Sequence, residues 1–243
     1  MTRTLVFLYG VVSYVVFLGA FLYAIAFVGN LFVPKTIDTG EAAPFTTALI
    51  INAVLLSVFA IQHSLMARPA FKAWLTGFVP KAAERSTYVL LSSLALILMY
   101  WQWRPMTGII WSVENAAARY ILWAVFFLGW GLVLLGTFLI NHFDLFGLRQ
   151  VYLHMCEEEY SSLGFGRPFL YKIVRHPIML GFILAFWATP VMTVGHLLFA
   201  VATTAYILIG IQLEERDLVN AHSGDYEQYR AEVSMLIPIP KRK

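Results

Sequence analysis

Charged residues are scarce in this sequence, 13% of 243, and cysteine occurs once. A lone Cys156 excludes an internal disulfide, a Cys-x-x-Cys redox pair and a cysteine-rich zinc site. A Gly-x-Gly-x-x-Gly fingerprint, a Walker loop and a His-Glu-x-x-His helix are also missing, which removes several of the commoner enzyme classes. No internal repeat is visible. What fills the chain is apolar: 60% of it is hydrophobic, against about 45–50% in ordinary soluble domains. That surplus must face lipid, and the length suits one compact membrane domain spanning 1–243.

The net charge of +3 does not point to nucleic acid, because the basic residues sit in loops beside apolar runs. A membrane helix needs roughly 20 mostly apolar residues, and four runs meet or approach that: 5–33, 45–66, 87–103 and 118–140. The first contains Ala24-Ile25-Ala26, the form of a signal-peptidase site. Its apolar stretch continues past that triplet, so a retained first helix is expected. A fifth region, Ile178 to Gln212, is too long for one span and is interrupted by Pro190 and Gly195, so it predicts a helical hairpin with arms of about 15–18 residues. The fold expected is all-α: a polytopic membrane bundle of about five to six transmembrane helices, ending in this hairpin and an amphipathic C-terminal helix.

With six crossings, one side holds Arg3, Arg68, Lys72, Lys81, Arg85, Arg149, Arg167, Lys172, Arg175, Arg216, Arg230, Lys241, Arg242 and Lys243, fourteen of the seventeen basic residues. Only Lys35, Arg104 and Arg119 fall opposite. The positive-inside rule then puts both termini in the cytoplasm. The long polar stretches, 141–177 and 213–243, share that side, so function is expected there.

The first polar stretch ends Tyr171-Lys172-Ile173-Val174-Arg175-His176-Pro177. Pro177 is placed to start a helix whose exposed amides attract an anion, and Arg175 adds a fork for a carboxylate with His176 beside it. Headgroup anchoring is the plainer reading of Arg175 and His176. At the other end of the hairpin, Glu214 and Glu215 point about 100° apart on a helix and so serve different partners. They form a solvated helix end, receive ribose hydroxyls or a ligand amine, or pair with Arg175. Tyr226, Tyr229 and Arg230 recur at helical spacing in a tail expected to fold back on the site or to anchor at the interface.

The Tyr-x-x-x-Arg-His-Pro-x-x-x-Gly run at 171–181 and the Glu-Glu pair at 214–215, followed by a Tyr-x-x-Tyr-Arg tail, resemble the membrane methyltransferases typified by isoprenylcysteine carboxyl methyltransferase and the phospholipid N-methyltransferases. The motif region covers 165–240. Met179 departs from the aromatic residue many members carry. The run Asn141 to Val151, with Gln62 to Pro69, resembles one branch, the bacterial methanethiol S-methyltransferases, and a membrane family associated with nitric-oxide respiration genes is a second relative. The resemblance implies S-adenosylmethionine as methyl donor, bound by Tyr171, Arg175, His176, Pro177, Gly181, Glu214, Glu215, Tyr226, Tyr229 and Arg230. It implies a small thiol as acceptor, with methanethiol becoming dimethyl sulfide.

Methyl transfer from a sulfonium is an in-line displacement that needs aligned reactants in a water-poor pocket and no metal. A small alkyl thiol is mostly protonated at neutral pH, so a base or cationic pocket is expected. His142 is the candidate base or relay, with Asp144 orienting it and Arg149 following. The same residues also suit a helix cap. Ionisable residues inside a span tend to be functional, which makes His63 a candidate substrate contact, with Phe146 and Gln150; hydrogen bonding within the bundle is the plainer role of His63. His154 and His222 are expected in loops and His196 on the far side, none with metal-ligand spacing. The partners expected are the thiol and the bilayer, with no nucleic acid and no obligate protein. A lipid amine or prenylcysteine carboxylate as acceptor, or a transporter or haem- or quinone-binding protein using His63 and His142, are the alternatives.

Overall fold

The computed structural model describes residues 2–161, 164 and 166–239, with residues 221–223 by their backbone alone. Lys241, Arg242 and Lys243 lie outside the described residues, as does the side chain of His222. In chain order the elements are α1 (Arg3–Gly29), α2 (Phe45–Met66), α3 (Pro69–Leu75), a 3-10 turn (Lys81–Ala83), α4 (Glu84–Gln102), β1 (Ile109–Ser112), α5 (Ala116–Ile140), α6 (His142–Leu145), α7 (Leu148–Met155), a second 3-10 turn (Phe169–Lys172), α8 (Pro177–Trp187), β2 (Val191–Thr193) and α9 (Val194–Glu232). Five of the described helical segments are long and apolar enough to cross a membrane: Arg3–Gly29, Phe45–Met66, Lys81–Gln102, Ala116–Ile140 and Val194–Asn220. The expected helical membrane architecture holds, joined by one small ribbon of β1 and β2.

The chain forms two compact units. The first comprises Met1–Gly108, Asn141–Ser162 and Thr193–His196. Here α1 packs on α4 and α7, and α2 packs on α4. Leu5, Leu8, Val12, Val15 and Leu22 project outward from α1, while the buried Ser13 hydroxyl donates to its own helix at the Tyr9 carbonyl, 2.8 Å away. Apolar faces outside with polar groups satisfied within are what a lipid solvent selects. Helix α1 stops before position 33 because Asn30 turns left-handed, at φ 54°. The buried face of α4 carries Ser86, Thr87, Ser92 and Ser93, small groups that let neighbouring backbones come close. One close approach is at Gly147, at φ 88°, where a Cβ would stand 2.8 Å from the Ser86 nitrogen. Only glycine fits there without strain, and it caps α7, so this contact fixes α6 and α7 on α4.

The second unit comprises Ile109–Ile140, Leu163–Met192 and Leu197–Lys243. Helix α5 packs on α8. A Cβ on Gly129 would lie 2.6 Å from the Gly181 carbonyl, and one on Gly181 2.6 Å from the Gly129 carbonyl, a reciprocal small-residue contact of the membrane kind. The expected hairpin is present but unequal. Helix α8 has 11 residues, roughly 16 Å at 1.5 Å per residue, well short of a bilayer core of about 30 Å. It stops at Trp187 because Pro190 forces its predecessor out of helix. The residues after it bond across to the chain before α5, with the Val113 amide donating to the Pro190 carbonyl at 2.9 Å and the Trp111 indole to the Thr189 carbonyl at 3.3 Å.

The returning arm runs without a break through the expected tail helix, as the 39-residue α9. It cannot be straight. Arg230 Nε lies 3.9 Å from Glu215 Oε2, although a straight helix would separate those backbones by roughly 22 Å. The helix bends back between Glu215 and Arg230, so its last turns return to its own middle. His154 and His222 accordingly lie in helices, α7 and α9, rather than in loops.

Candidate functional site

In the second unit, Arg175 ties three pieces of chain together. Its backbone N–H donates to the Ser234 carbonyl at 2.9 Å, and that of His176 to Met235 at 3.2 Å, beside a parallel bridge between Val174 and Ser234. The guanidinium donates to Glu215 Oε1 from Nε at 2.8 Å and lies within 2.7 Å of it through Nη2. Nη1 donates to the Arg230 carbonyl at 3.1 Å and to that of Val233. His176 Nε2 stands 3.0 Å from the same Glu215 oxygen. Arg175 and Glu215 are buried, 8% and 6% exposed, and a buried ion pair is tolerable only when its remaining donors are satisfied in this way. The fork expected to dock a ligand carboxylate is therefore turned inward. Arg175 frames the site.

Glu214 points the other way, its side chain 51% exposed and 3.8 Å from His176 Nδ1. The two glutamates thus flank one imidazole, as their 100° offset requires. Pro177 occupies the first turn of α8, with His176 as its cap. Gly181, expected at the cofactor, instead faces Gly129 and Val133 of α5; a Cβ there would strike helix backbone, which explains the glycine without a ligand.

Tyr226 and Tyr229 are packing residues, 1% and 3% exposed in a cluster with Val233. Their rings meet edge to face at 5.8 Å. Burial, with the Glu215 charge adding to it, pushes the Tyr226 phenol up to about 12. Burial raises Tyr229 to about 12 as well. Its hydroxyl therefore keeps its proton and donates to the Tyr171 carbonyl at 2.5 Å, while Arg167 stacks 4.7 Å above its ring. Tyr171, raised first by burial and then by the Glu214 charge, reaches the Gly136 carbonyl at 3.4 Å.

Where α9 turns back, a cavity of about 340 Å³ opens, lined by Gln212, Glu215, Arg216, Val219, Asn220 and Arg230. Glu215 and Arg230 were expected at the ligand. Gln212, Arg216, Val219 and Asn220 were not, although their spacing of three and four along α9 marks one helix face. Two guanidinium groups, two carboxamides and one carboxylate suit a polar ligand carrying both charge signs.

The first unit holds the second cluster. Asn141 accepts the Asp144 amide at 3.1 Å, and Arg85 Nε on α4 donates to the Leu145 carbonyl at 2.7 Å, which seats the single turn α6. His142, 5% exposed, is walled by Phe146 at 4.8 Å, Phe143 at 5.5 Å and Phe17 at 6.5 Å between ring centres. Its Nε2 lies 2.8 Å from the Tyr14 hydroxyl. Burial lowers its pKa below the ordinary 6.5, so the ring is neutral at pH 7.

Asp144 does not orient His142. It receives Arg149 Nη1 at 2.9 Å and the Tyr160 hydroxyl at 3.3 Å, because residues two apart on a helical turn project about 200° apart. Arg149 also donates to Ser161 at 2.9 and 3.3 Å. Phe146 stacks on Phe17 at 3.8 Å. Gln150 donates to the Asp144 carbonyl at 3.0 Å, and its Oε1 is buried with no hydrogen-bond partner among the described residues. His63 has Tyr88 Oη 2.8 Å from Nε2 and Ser92 Oγ 3.2 Å from Nδ1, and it stacks on Phe59 at 5.2 Å. Tyr88 in turn lies beneath Arg85. His196 is fully buried at the start of α9. Sequence patterning missed Tyr14, since an aromatic in an apolar span carries no local signal.

Residues 50–214 match the model of the NnrU protein family. The methanethiol S-methyltransferase of Mycobacterium tuberculosis is 59% identical over 242 residues, covering 100% of this chain and 99% of its own. That of Crocosphaera subtropica is 54% identical over 243 residues, 100% of this chain and 95% of its own. The nurim of Mus musculus is 30% identical over 181 residues, 68% and 65% of the two chains. No solved structure matches. The chain belongs to the NnrU family of membrane proteins. Within it the chain is a methyltransferase, as the branch resemblance read from 62–69 and 141–151 implied.

Proposed function

We propose that the chain transfers a methyl group from S-adenosylmethionine to methanethiol, giving dimethyl sulfide, at the cytoplasmic side of a bacterial inner membrane with both termini cytoplasmic. The observation that carries the donor assignment is the cavity lined by Arg216, Arg230, Gln212, Asn220 and Glu215. Its residues fit the donor's chemistry: guanidinium groups for the carboxylate, carboxamides for the base, and Glu215, with Glu214 nearby, for the ammonium or ribose hydroxyls. When bound, S-adenosylmethionine supplies an electrophilic methyl on a sulfonium. Arg175 and His176 hold Glu215 in place, and Tyr226, Tyr229 and Arg167 hold the returning end of α9.

His142 supplies the base. Its neutral ring, walled by Phe17, Phe143 and Phe146, suits a small apolar thiol, whose thiolate is the reactive form. The thiol as acceptor follows the printed names of the full-length relatives. The cytoplasmic assignment draws on the fourteen basic residues grouped on one side.

The test is calorimetric titration of detergent-purified protein with S-adenosylmethionine and S-adenosylhomocysteine, then headspace detection of dimethyl sulfide after adding methanethiol. Binding with product is expected. Binding without product would redirect the acceptor to a lipid amine or a prenylated cysteine; no binding would overturn the donor.

A further inference from the structure

His142 is buried, and its Nε2 is covered by the Tyr14 hydroxyl at 2.8 Å. Tyr14 comes from α1 and is only half-buried. Its ring is held by Phe17 at 5.9 Å and Phe143 at 6.2 Å, so the hydroxyl is fixed on the imidazole. An acceptor approaching Nε2 meets Tyr14 first.

We propose that Tyr14 carries the acceptor's proton to His142, its hydroxyl being the group that touches the thiol. This rests on the thiol-methylating reading of the site. The thiol S–H bond breaks as an O–H bond forms on Tyr14, while the original Tyr14 O–H bond breaks and an N–H bond forms on His142 Nε2. The products are a thiolate and an imidazolium, and Tyr14 is unchanged. With Nε2 as acceptor, Nδ1 bears the proton of the neutral ring. The imidazolium returns its extra proton to water after each turnover. The same geometry explains why Asp144 is not needed as an orienter: Tyr14 performs that task from another helix.

The titratable and charged groups around this element are Tyr14 on α1, His63 on α2, Arg85 and Tyr88 on α4, Asp144 on α6, Arg149 on α7 and Tyr160 beyond it. Of these, Tyr14 places its hydroxyl on the His142 ring, at Nε2.

The experiment compares wild type, Tyr14→Phe and His142→Gln with methanethiol and with methaneselenol. The selenol has nearly the same size but is a far stronger acid, so it arrives already deprotonated. Tyr14→Phe should lose about a hundredfold or more in turnover of methanethiol, the usual scale of proton-transfer catalysis, and keep near wild-type turnover of methaneselenol. Calorimetric affinity for S-adenosylhomocysteine should not change. His142→Gln should show the same signature. Equal losses on both acceptors, or unchanged turnover of methanethiol, would overturn the role of Tyr14. A wild type that binds donor yet methylates neither acceptor would overturn the reading beneath it instead.

Discussion

Arg175 and Glu215 meet at 2.7 Å, forty positions apart in the chain and nearly out of reach of solvent. The pair joins the loop before α8 to the middle of α9, and its energetics differ from those of the neighbouring Glu214, which is half exposed.

Glu215→Gln leaves a buried guanidinium without its counter-charge, a change that costs about 3–5 kcal/mol when a buried pair is broken. The variant should unfold in detergent at markedly lower temperature and bind donor poorly. Glu214→Gln should keep wild-type thermal stability and lose only donor affinity. Equal stability of the two variants would contradict the burial difference between them.

Gly181→Val should destabilise the α5–α8 contact by about 1–3 kcal/mol, the usual cost of overpacking. The neighbour of the new Cβ is the Gly129 carbonyl at 2.6 Å, and backbone of a second helix cannot step aside. The expected result is reduced folded yield together with lowered thermal stability. A stable variant with selectively lost donor binding would instead return Gly181 to the cofactor.

Arg216→Ala and Asn220→Ala should each weaken S-adenosylhomocysteine binding, the arginine by about tenfold or more, the scale of a charge-assisted hydrogen bond. Both positions are exposed on α9, so thermal stability should hold. Wild-type affinity in both variants would move the donor away from this cavity.

Acid should both destabilise and inactivate. Burial lowers the pKa of His142 in the folded protein, so below pH 6.5 the unfolded chain takes up a proton before the folded one does. The stability loss sets in there, grows until pH falls through the lowered folded value, and vanishes above 6.5. Activity should fall at the lower end of that window, where the folded imidazole itself takes up a proton and accepts nothing. In His142→Gln the share of the pH-dependent stability loss due to this ring should disappear; an unchanged acid limb would assign the effect to other groups.

The helices were legible because an apolar run of 20 residues has one structural meaning in lipid, and α2 begins and ends where its hydropathy does. Element lengths around Pro190 were less so: α8 came out shorter and α9 longer than equal arms would give, since the ribbon of β1 and β2 consumes residues that composition cannot distinguish from helix. The Glu214–Glu215 offset followed from helix geometry alone. The inward turn of Arg175 did not, because only the return of α9 supplies the Arg230 and Val233 carbonyls that saturate its fork. Gly181 was ambiguous for a related reason: a glycine that spares a ligand and one that spares a helix look the same in one dimension.

The backbone amides of Arg175 and His176 rest on the carbonyls of Ser234 and Met235, so the segment behind α9 acts as a splint for the motif 59 residues upstream. Fusion of a purification tag close behind that segment, or trimming of the chain to Glu232, perturbs the site as directly as a point substitution in it. Inactive preparations tagged there would say little about the enzyme, and the experiments above belong on protein tagged at the other terminus.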